Sequence, residues 1–388
     1  MDVSFFIAKR IRFKGKMAMV SISVSFLVMI IAVAVSSGFR HEIRDGISSV
    51  SGDVQLVSAE MNWIGESSPV SRTPSWLDRI RSMPEVGEVS PAVYRAGILK
   101  SGDNIHGVIF RGTEQDSSLA GLGISVPFSL ASMLGISVGD ELPAYFVGER
   151  VKVRKFTVKS LYDSMLPSDD EMLIRASLED MQRVNGWSED EVSAIELRLH
   201  PSSRSVAGME EAAAEAGSIA MMYSSDDEPA VVAVSSVSRY PQLFDWLNLI
   251  DFNVLFILIL MTAVAGFNMI SGLLIMLFEN IPTIGVLKSL GMTDRAIAKI
   301  FLSASSSIVL KGMAAGNLLA LAFCLVQGMT RVLKLDPTNY FVSFVPVHVD
   351  LPLILAADLA AYVIIMILLL IPSLFISGID PAKTVRVG

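Results

Sequence analysis

ENIPTIGVLKSLGMTDRAIAKIF, residues 279–301, lies between two long apolar runs. The stretch is short, so the runs on either side of it enter the membrane from the same side. Ile281, Ile284, Leu287 and Leu290 recur every third residue and predict one apolar stripe on a helix. Lys288, Asp294, Arg295 and Lys299 supply charge elsewhere around it. Pro282 suits the first turn of such a helix and Gly291 suits its end. Two readings stand side by side. One is a short amphipathic cytoplasmic helix that lies along the membrane or docks into a partner's groove. The other is a solvated connector between two spans.

Working outward, the composition points the same way. Of 388 residues, 52% are hydrophobic, and the mean hydropathy is +0.55. That is more apolar residue than a soluble domain needs, so membrane spans are expected. The run upstream, 243–278, has no helix breaker and corresponds to about 54 Å of helix. A bilayer core is about 30 Å thick, so the surplus is expected to project outside as a stalk. Downstream, 300–330 is a third run, and 353–376 is a fourth, ending near Pro372. At the N-terminus, Lys9, Arg10, Arg12, Lys14 and Lys16 precede the uncharged run 17–35, which reads as an uncleaved anchor. Lys and Arg number five before the first run, three after the second, two after the third and two in the tail. The short loops thus predict both termini inside and the large region outside.

That large region, 39–247, has the length of one or two domains and the local signals of an α+β fold. Strands are expected at 53–57, 94–100, 105–111, 150–161 and 192–199. The turn Ser101-Gly-Asp-Asn104 joins the second and third of these. Helices are expected at 75–83, 177–184 and 210–216. The acidic clusters Asp169-Asp-Glu171 and Asp226-Asp-Glu228 read as solvated loops. The full division is 1–38 (N-terminus and first span), 39–247 (external domain), 248–278 (second span with stalk) and 279–299 (coupling helix). It continues with 300–330 (third span), 331–350 (external loop), 351–377 (fourth span) and 378–388 (tail).

Little enzymatic chemistry is visible. A G-x-x-x-x-G-K-[ST] phosphate loop is missing, since Gly15-Lys16 lacks both the earlier glycine and the following hydroxyl. H-E-x-x-H does not occur, and Gly135-Ile-Ser-Val-Gly139 is the one G-x-S-x-G match. His41, His106, His200 and His348 are scattered without metal-ligand spacing, and Cys324 is the lone cysteine. The net charge of -8 argues against nucleic acid as a partner. Asp251, Asn253, Asn268, Lys311, Asn317 and Asp358 are polar groups in or near spans, and such groups are costly there. They read either as functional or as snorkelling and interfacial. Gly312-Met-Ala-Ala-Gly316 fits close helix packing, within one subunit or across a dimer.

Four places resemble the LolC/LolE membrane subunits of the lipoprotein-releasing ABC transporter, in the wider group that includes MacB and FtsX. They are FIAKRIRFKGK with Ser36-Ser-Gly-Phe39; Tyr162-Asp-Ser-Met-Leu-Pro-Ser-Asp-Asp170 with Glu179-Asp-Met-Gln182; Ala263-Val-Ala-Gly-Phe-Asn268 with Gly285-Val-Leu-Lys-Ser-Leu-Gly291; and the tail 372–386 with Pro381-Ala382 and Val385-Arg386. They occur in the family's order over nearly the whole chain.

The resemblance implies a membrane α-helical fold with four transmembrane helices and a large α+β periplasmic domain inserted between helices 1 and 2. It implies an inner-membrane permease subunit that is not itself an enzyme. This chain would carry no cofactor; ATP and Mg would sit on a separate LolD-like ATPase subunit. The coupling residues are Ile281, Pro282, Ile284, Gly285, Leu287, Lys288, Leu290 and Gly291. Asn280 and Thr283 depart from the family, which often has a base and an acid there, so the apolar stripe is the main docking candidate. Other implied partners are a second permease subunit (the same or a related chain), lipoprotein cargo, a LolA-like periplasmic carrier and membrane lipid. Val35, Phe39, Phe252 and Phe256 are candidates for an acyl-chain path, against a reading as ordinary lipid-facing residues. Leu166, Pro167 and Ser168 are candidates for carrier contact. The alternatives are an FtsX-like mechanotransmission subunit acting on a periplasmic hydrolase, and a MacB-like efflux permease.

Overall fold

The computed structural model describes residues 16–60, 68–148, 151–163, 172–336, 340 and 342–373. The chain divides into two compact units. One comprises 1–41, 246–334 and 344–388, and the other 42–245 and 335–343.

Among the described residues, four helices are long and apolar enough to cross a membrane. The first, α1, is Lys16–Ser51. It does not stop where the uncharged run ends at Val35. Ser36, Ser37 and Gly38 are buried, so small polar residues continue the packed face and the helix carries on.

The second unit follows. Its strands and helices in chain order are β1 (Val54–Ser58), β2 (Val70–Ser71), α2 (Leu77–Arg81), β3 (Val86–Ser101), β4 (Asn104–Thr113), β5 (Gly123–Pro127), α3 (Phe128–Leu134), β6 (Glu141–Phe146), β7 (Lys152–Tyr162), β8 (Leu173–Ser177), α4 (Leu178–Asn185), β9 (Glu191–Val192), β10 (Ala194–Leu199), α5 (Val206–Tyr223), β11 (Val231–Ser235) and α6 (Ser236–Arg239). The described residues form one nine-stranded sheet in the order β11-β1-β10-β3-β4-β8-β5-β7-β6. An additional pairing of β3 with β6 closes six of these strands into a ring, and β10, β1 and β11 extend from β3 as a wing.

Closure follows from side-chain alternation, which points one face of each strand inward. Phe110, Phe146 and Phe156 are fully buried there, with ring centroids 5.1 and 6.1 Å apart. Gly97 on β3 leaves them room, because a Cβ there would lie 3.0 Å from the Phe146 ring. Helix α5 is longer than the alanine-rich core 210–216 suggests. Ser205 caps its start by accepting from the Gly208 N–H, and Met209, Ala212, Ala216 and Ala220 bury one face. Glu228, expected in a solvated loop, accepts from the N–H groups of Ser75 (2.8 Å) and Ser225 (3.2 Å) and so ties two loops together.

The first unit resumes with α7 (Pro241–Glu279), α8 (Ile281–Ser289), α9 (Asp294–Thr330), α10 (Leu351–Leu368) and the short α11 (Leu370–Ser373). One core joins the four long helices, with Ile22 and Phe26 of α1, Met269 and Leu273 of α7, Ile297 and Phe301 of α9, and Ala361 and Ile365 of α10. Gly312 and Gly316 belong to this packing within the subunit. A Cβ on Gly312 would lie 2.6 Å from Ile22, and one on Gly316 would lie 2.5 Å from the Ser23 carbonyl oxygen.

Candidate functional site

Helix α8 is defined at both ends by its sequence. Pro282 lies in the first turn, where a missing N–H costs nothing. At the other end Gly291 takes φ +86°, and the N–H groups of Gly291 and Met292 return to the carbonyls of Lys288 (2.9 Å) and Leu287 (3.0 Å). Thr293 then caps α9 by accepting from the Ala296 N–H, and Lys288 pairs with Asp294 at 2.9 Å across the turn. The connection between α7 and α9 is therefore an ordered helical turn.

The apolar stripe is divided by packing. Ile284 is fully buried and joins the core with Leu277, Ile297 and Phe301. Gly285 is buried, Ile281 and Leu287 are half-buried, and Lys288 is largely covered. Pro282 is exposed, as are Val286 and Leu290, at 51% and 78%. Residues 282, 286 and 290 follow an i, i+4, i+8 pattern, which makes an apolar ridge on the face that the core leaves open. The periodicity marks an amphipathic helix but cannot say which apolar residues its own neighbours consume. Val286 was missed for that reason.

The four acyl-path candidates are not brought onto one surface. Phe39 is buried edge-on against Trp246, with centroids 5.6 Å apart, and Val35 is half-buried. Phe252 and Phe256 are exposed at 67% and 61%. Ser36 and Arg40, close to Phe39 in the chain, both engage Asp251, which accepts from Ser36 Oγ at 2.7 Å and pairs with Arg40 at 3.4 Å. His41 stacks on His348, with centroids 4.6 Å apart, and the His348 N–H donates to the Ala34 carbonyl. Asn317 and Asp358 bond across α9 and α10, while Lys311 is exposed. Leu166, Pro167 and Ser168 lie outside the described residues.

The second unit holds a buried polar network that strand patterning alone did not reveal. Arg111 Nη2 donates to Glu196 Oε2 at 2.5 Å, and both side chains are almost wholly buried. Gln55 Nε2 donates to the Tyr94 hydroxyl at 2.9 Å, and that hydroxyl donates to Glu196. Burial and the Glu196 carboxylate push the Tyr94 phenol up, so it stays a donor. Burial opposes the Arg111 charge, but Glu196 outweighs it and pushes the guanidinium up. The available signal was a charged residue flanked by apolar ones in a strand, Arg111 in β4 and Glu196 in β10. Among the described residues no group of three His, Cys, Asp or Glu side chains gathers as a metal site would.

Residues 255–381 match the family described as FtsX-like permease C-terminal. The lipoprotein-releasing system transmembrane protein LolC of Xylella fastidiosa is 23% identical over 412 residues, covering 97% of this chain and 94% of that one. LolE of Haemophilus influenzae is 20% identical over 410 residues, covering 95% and 93%. The periplasmic region of MacB from Actinobacillus actinomycetemcomitans aligns at 10% identity and a TM-score of 0.31, over 52% of this chain and 97% of that one. The chain thus resembles permeases with an FtsX-like C-terminal region. More particularly, it is similar over nearly its whole length to LolC/LolE-type lipoprotein-release membrane subunits.

Proposed function

We propose that this chain is the permease subunit of an ABC transporter that extracts lipoproteins from the outer leaflet of an inner membrane and passes them to a LolA-like periplasmic carrier. The observation that carries this reading is the near full-length similarity to LolC and LolE, with α8 folded as an ordered turn at the expected place. A separate LolD-like ATPase binds and hydrolyses ATP with Mg. Ile284, Gly285 and Leu287 hold α8 against α7 and α9, and Lys288 and Gly291 fix its end. The exposed Pro282, Val286 and Leu290 fill an apolar groove on the ATPase. Two ATPase subunits need two such helices, so the permease acts as a dimer with itself or a related chain.

Closure of the ATPases moves α8, and the rigid helices transmit the motion. With 39 residues, α7 is about 58 Å long, roughly twice a bilayer core. Its surplus and that of α1 form the stalk to the domain built from β1–β11, which lies in the periplasm with both termini in the cytoplasm. Cargo acyl chains meet the exposed Phe252 and Phe256 before they leave the membrane.

The test is affinity capture of the tagged, detergent-solubilised protein, with co-purifying chains identified by mass spectrometry. An ATPase subunit together with lipoproteins is expected. An ATPase with a cell-wall hydrolase and no lipoprotein would replace this reading with mechanotransmission. Absence of any ATPase from intact complexes would overturn the ABC assignment of α8.

A further inference from the structure

The Asn317–Asp358 pair takes no part in the transport reading above. Asn317 Nδ2 on α9 donates to Asp358 Oδ2 on α10 at 2.5 Å. Two oxygens are left over: Asn317 Oδ1 and Asp358 Oδ1 are both buried and have no hydrogen-bond partner. Asp358 is only 5% exposed.

The surrounding helices bring no compensating charge. α1 has no ionisable side chain from Met17 to Phe39, and α7 has none from Phe252 to Phe278. Along α9 the nearest cation is Lys311, which is exposed, and Cys324 is the other titratable group beyond Asn317. On α10 the other titratable side chain is Tyr362, whose hydroxyl is engaged with Ser306 at 2.8 Å.

A carboxylate in this place would bring an unpaired charge into the hydrocarbon layer. It would also leave Asp358 Oδ1 and Asn317 Oδ1, both acceptors, each buried without a donor. A carboxylic acid removes both problems. Its O–H on Oδ1 donates to Asn317 Oδ1, while Oδ2 goes on accepting from Nδ2. The result is a closed acid–amide ring with two hydrogen bonds, and each leftover oxygen gains a partner.

We propose that Asp358 is a proton-binding site whose proton closes an acid–amide clasp between α9 and α10. The proposal rests on α9 and α10 crossing a membrane but not on any cargo or ATPase. Separation of the two helices would admit water and release the proton, so helix packing and protonation are one equilibrium.

Infrared spectroscopy of the full-length protein in lipid nanodiscs tests this, as the difference between wild type and Asp358→Asn at neutral pH. Asp358→Asn keeps the size of the side chain and can pair with Asn317 as an amide–amide ring, so it retains the fold. The wild type is expected to show a protonated-carboxyl C=O band that Asp358→Asn lacks. In Asn317→Leu that band moves to higher frequency, because the acid carbonyl loses its N–H donor. A difference spectrum containing carboxylate bands alone would overturn the proposal. Should Asp358→Asn fail to fold, aspartate-labelled wild type against Asn317→Leu decides: a protonated band that shifts supports the clasp, and its absence overturns it. This readout involves no lipoprotein or nucleotide, so its failure is separate from a failure of the transport reading.

Discussion

Ile284 lies within α8 and Leu290 just past its end, and burial assigns them different work. Ile284 sits at 0% exposure in the core of the long helices and Leu290 at 78%. Ile284→Ala should therefore destabilise the first unit by about 2–5 kcal/mol, the usual cost of a buried large-to-small change, read as a lower Tm of the detergent-solubilised protein. Leu290→Asp should leave that Tm unchanged and abolish capture of the ATPase. The opposite pattern would mean that the docking face is the buried stripe.

Glu228 offers a second test at this scale. Slight burial raises its carboxyl, but hydrogen bonds from Ser75 and Ser225 outweigh that and lower it from the ordinary value of 4.5. A carboxyl lowered in the folded state contributes stability above that ordinary value, and loses it as pH falls through the folded one. Hydrogen exchange at the Ser75 amide, corrected for intrinsic rate, should stay protected at neutral pH and open as pH falls below 4.5. Glu228→Gln should remove this pH dependence.

At the scale of elements, the length of the apolar runs made the long helices legible in the sequence. The apolar runs are long enough to cross a bilayer core, and Pro241 marks the start of α7. The continuation of α1 to Ser51 was hidden, because residues 36–51 mix charges, serines and glycines without a helical apolar period. The hairpin of β3 and β4 was visible in its Ser101–Asn104 turn. Its ring partner β6 was not, since Glu141–Phe146 is short and pairs far along the chain. In the site, Pro282 and Gly291 were readable as helix punctuation. The division of the stripe was not, because burial by α7 and α9 is a tertiary fact.

Gly316 illustrates how closely these elements approach. A Cβ there would come within 2.5 Å of a backbone oxygen on α1, which cannot swing away as a side chain could. Gly316→Leu should cost about 1–3 kcal/mol or more through overpacking, read as a lower Tm. Helix α7 can be tested as a transmitter. Ile259→Pro breaks the hydrogen-bond ladder in its middle. ATPase capture should survive this change, because α8 is untouched, while ATP-driven lipoprotein release should be lost. Release at the wild-type rate would show that the motion does not travel along α7.

At the scale of the whole chain, one unit holds four long apolar helices and the other has a stiff core. The ring of six strands and the Arg111–Glu196 pair give that domain internal rigidity. Removing one partner of such a buried pair, as in Glu196→Ala, typically costs about 3–5 kcal/mol. Under the transport role proposed above, a stiff domain would move as a body rather than absorb the motion.

The most direct measurement is release of a fluorescent lipoprotein from proteoliposomes containing this chain and its co-purified ATPase, with a soluble carrier outside. The account predicts transfer to the carrier that needs ATP and disappears with Leu290→Asp. Transfer that is indifferent to ATP, or no transfer by a complex that hydrolyses ATP normally in the presence of lipoprotein and carrier, would contradict it.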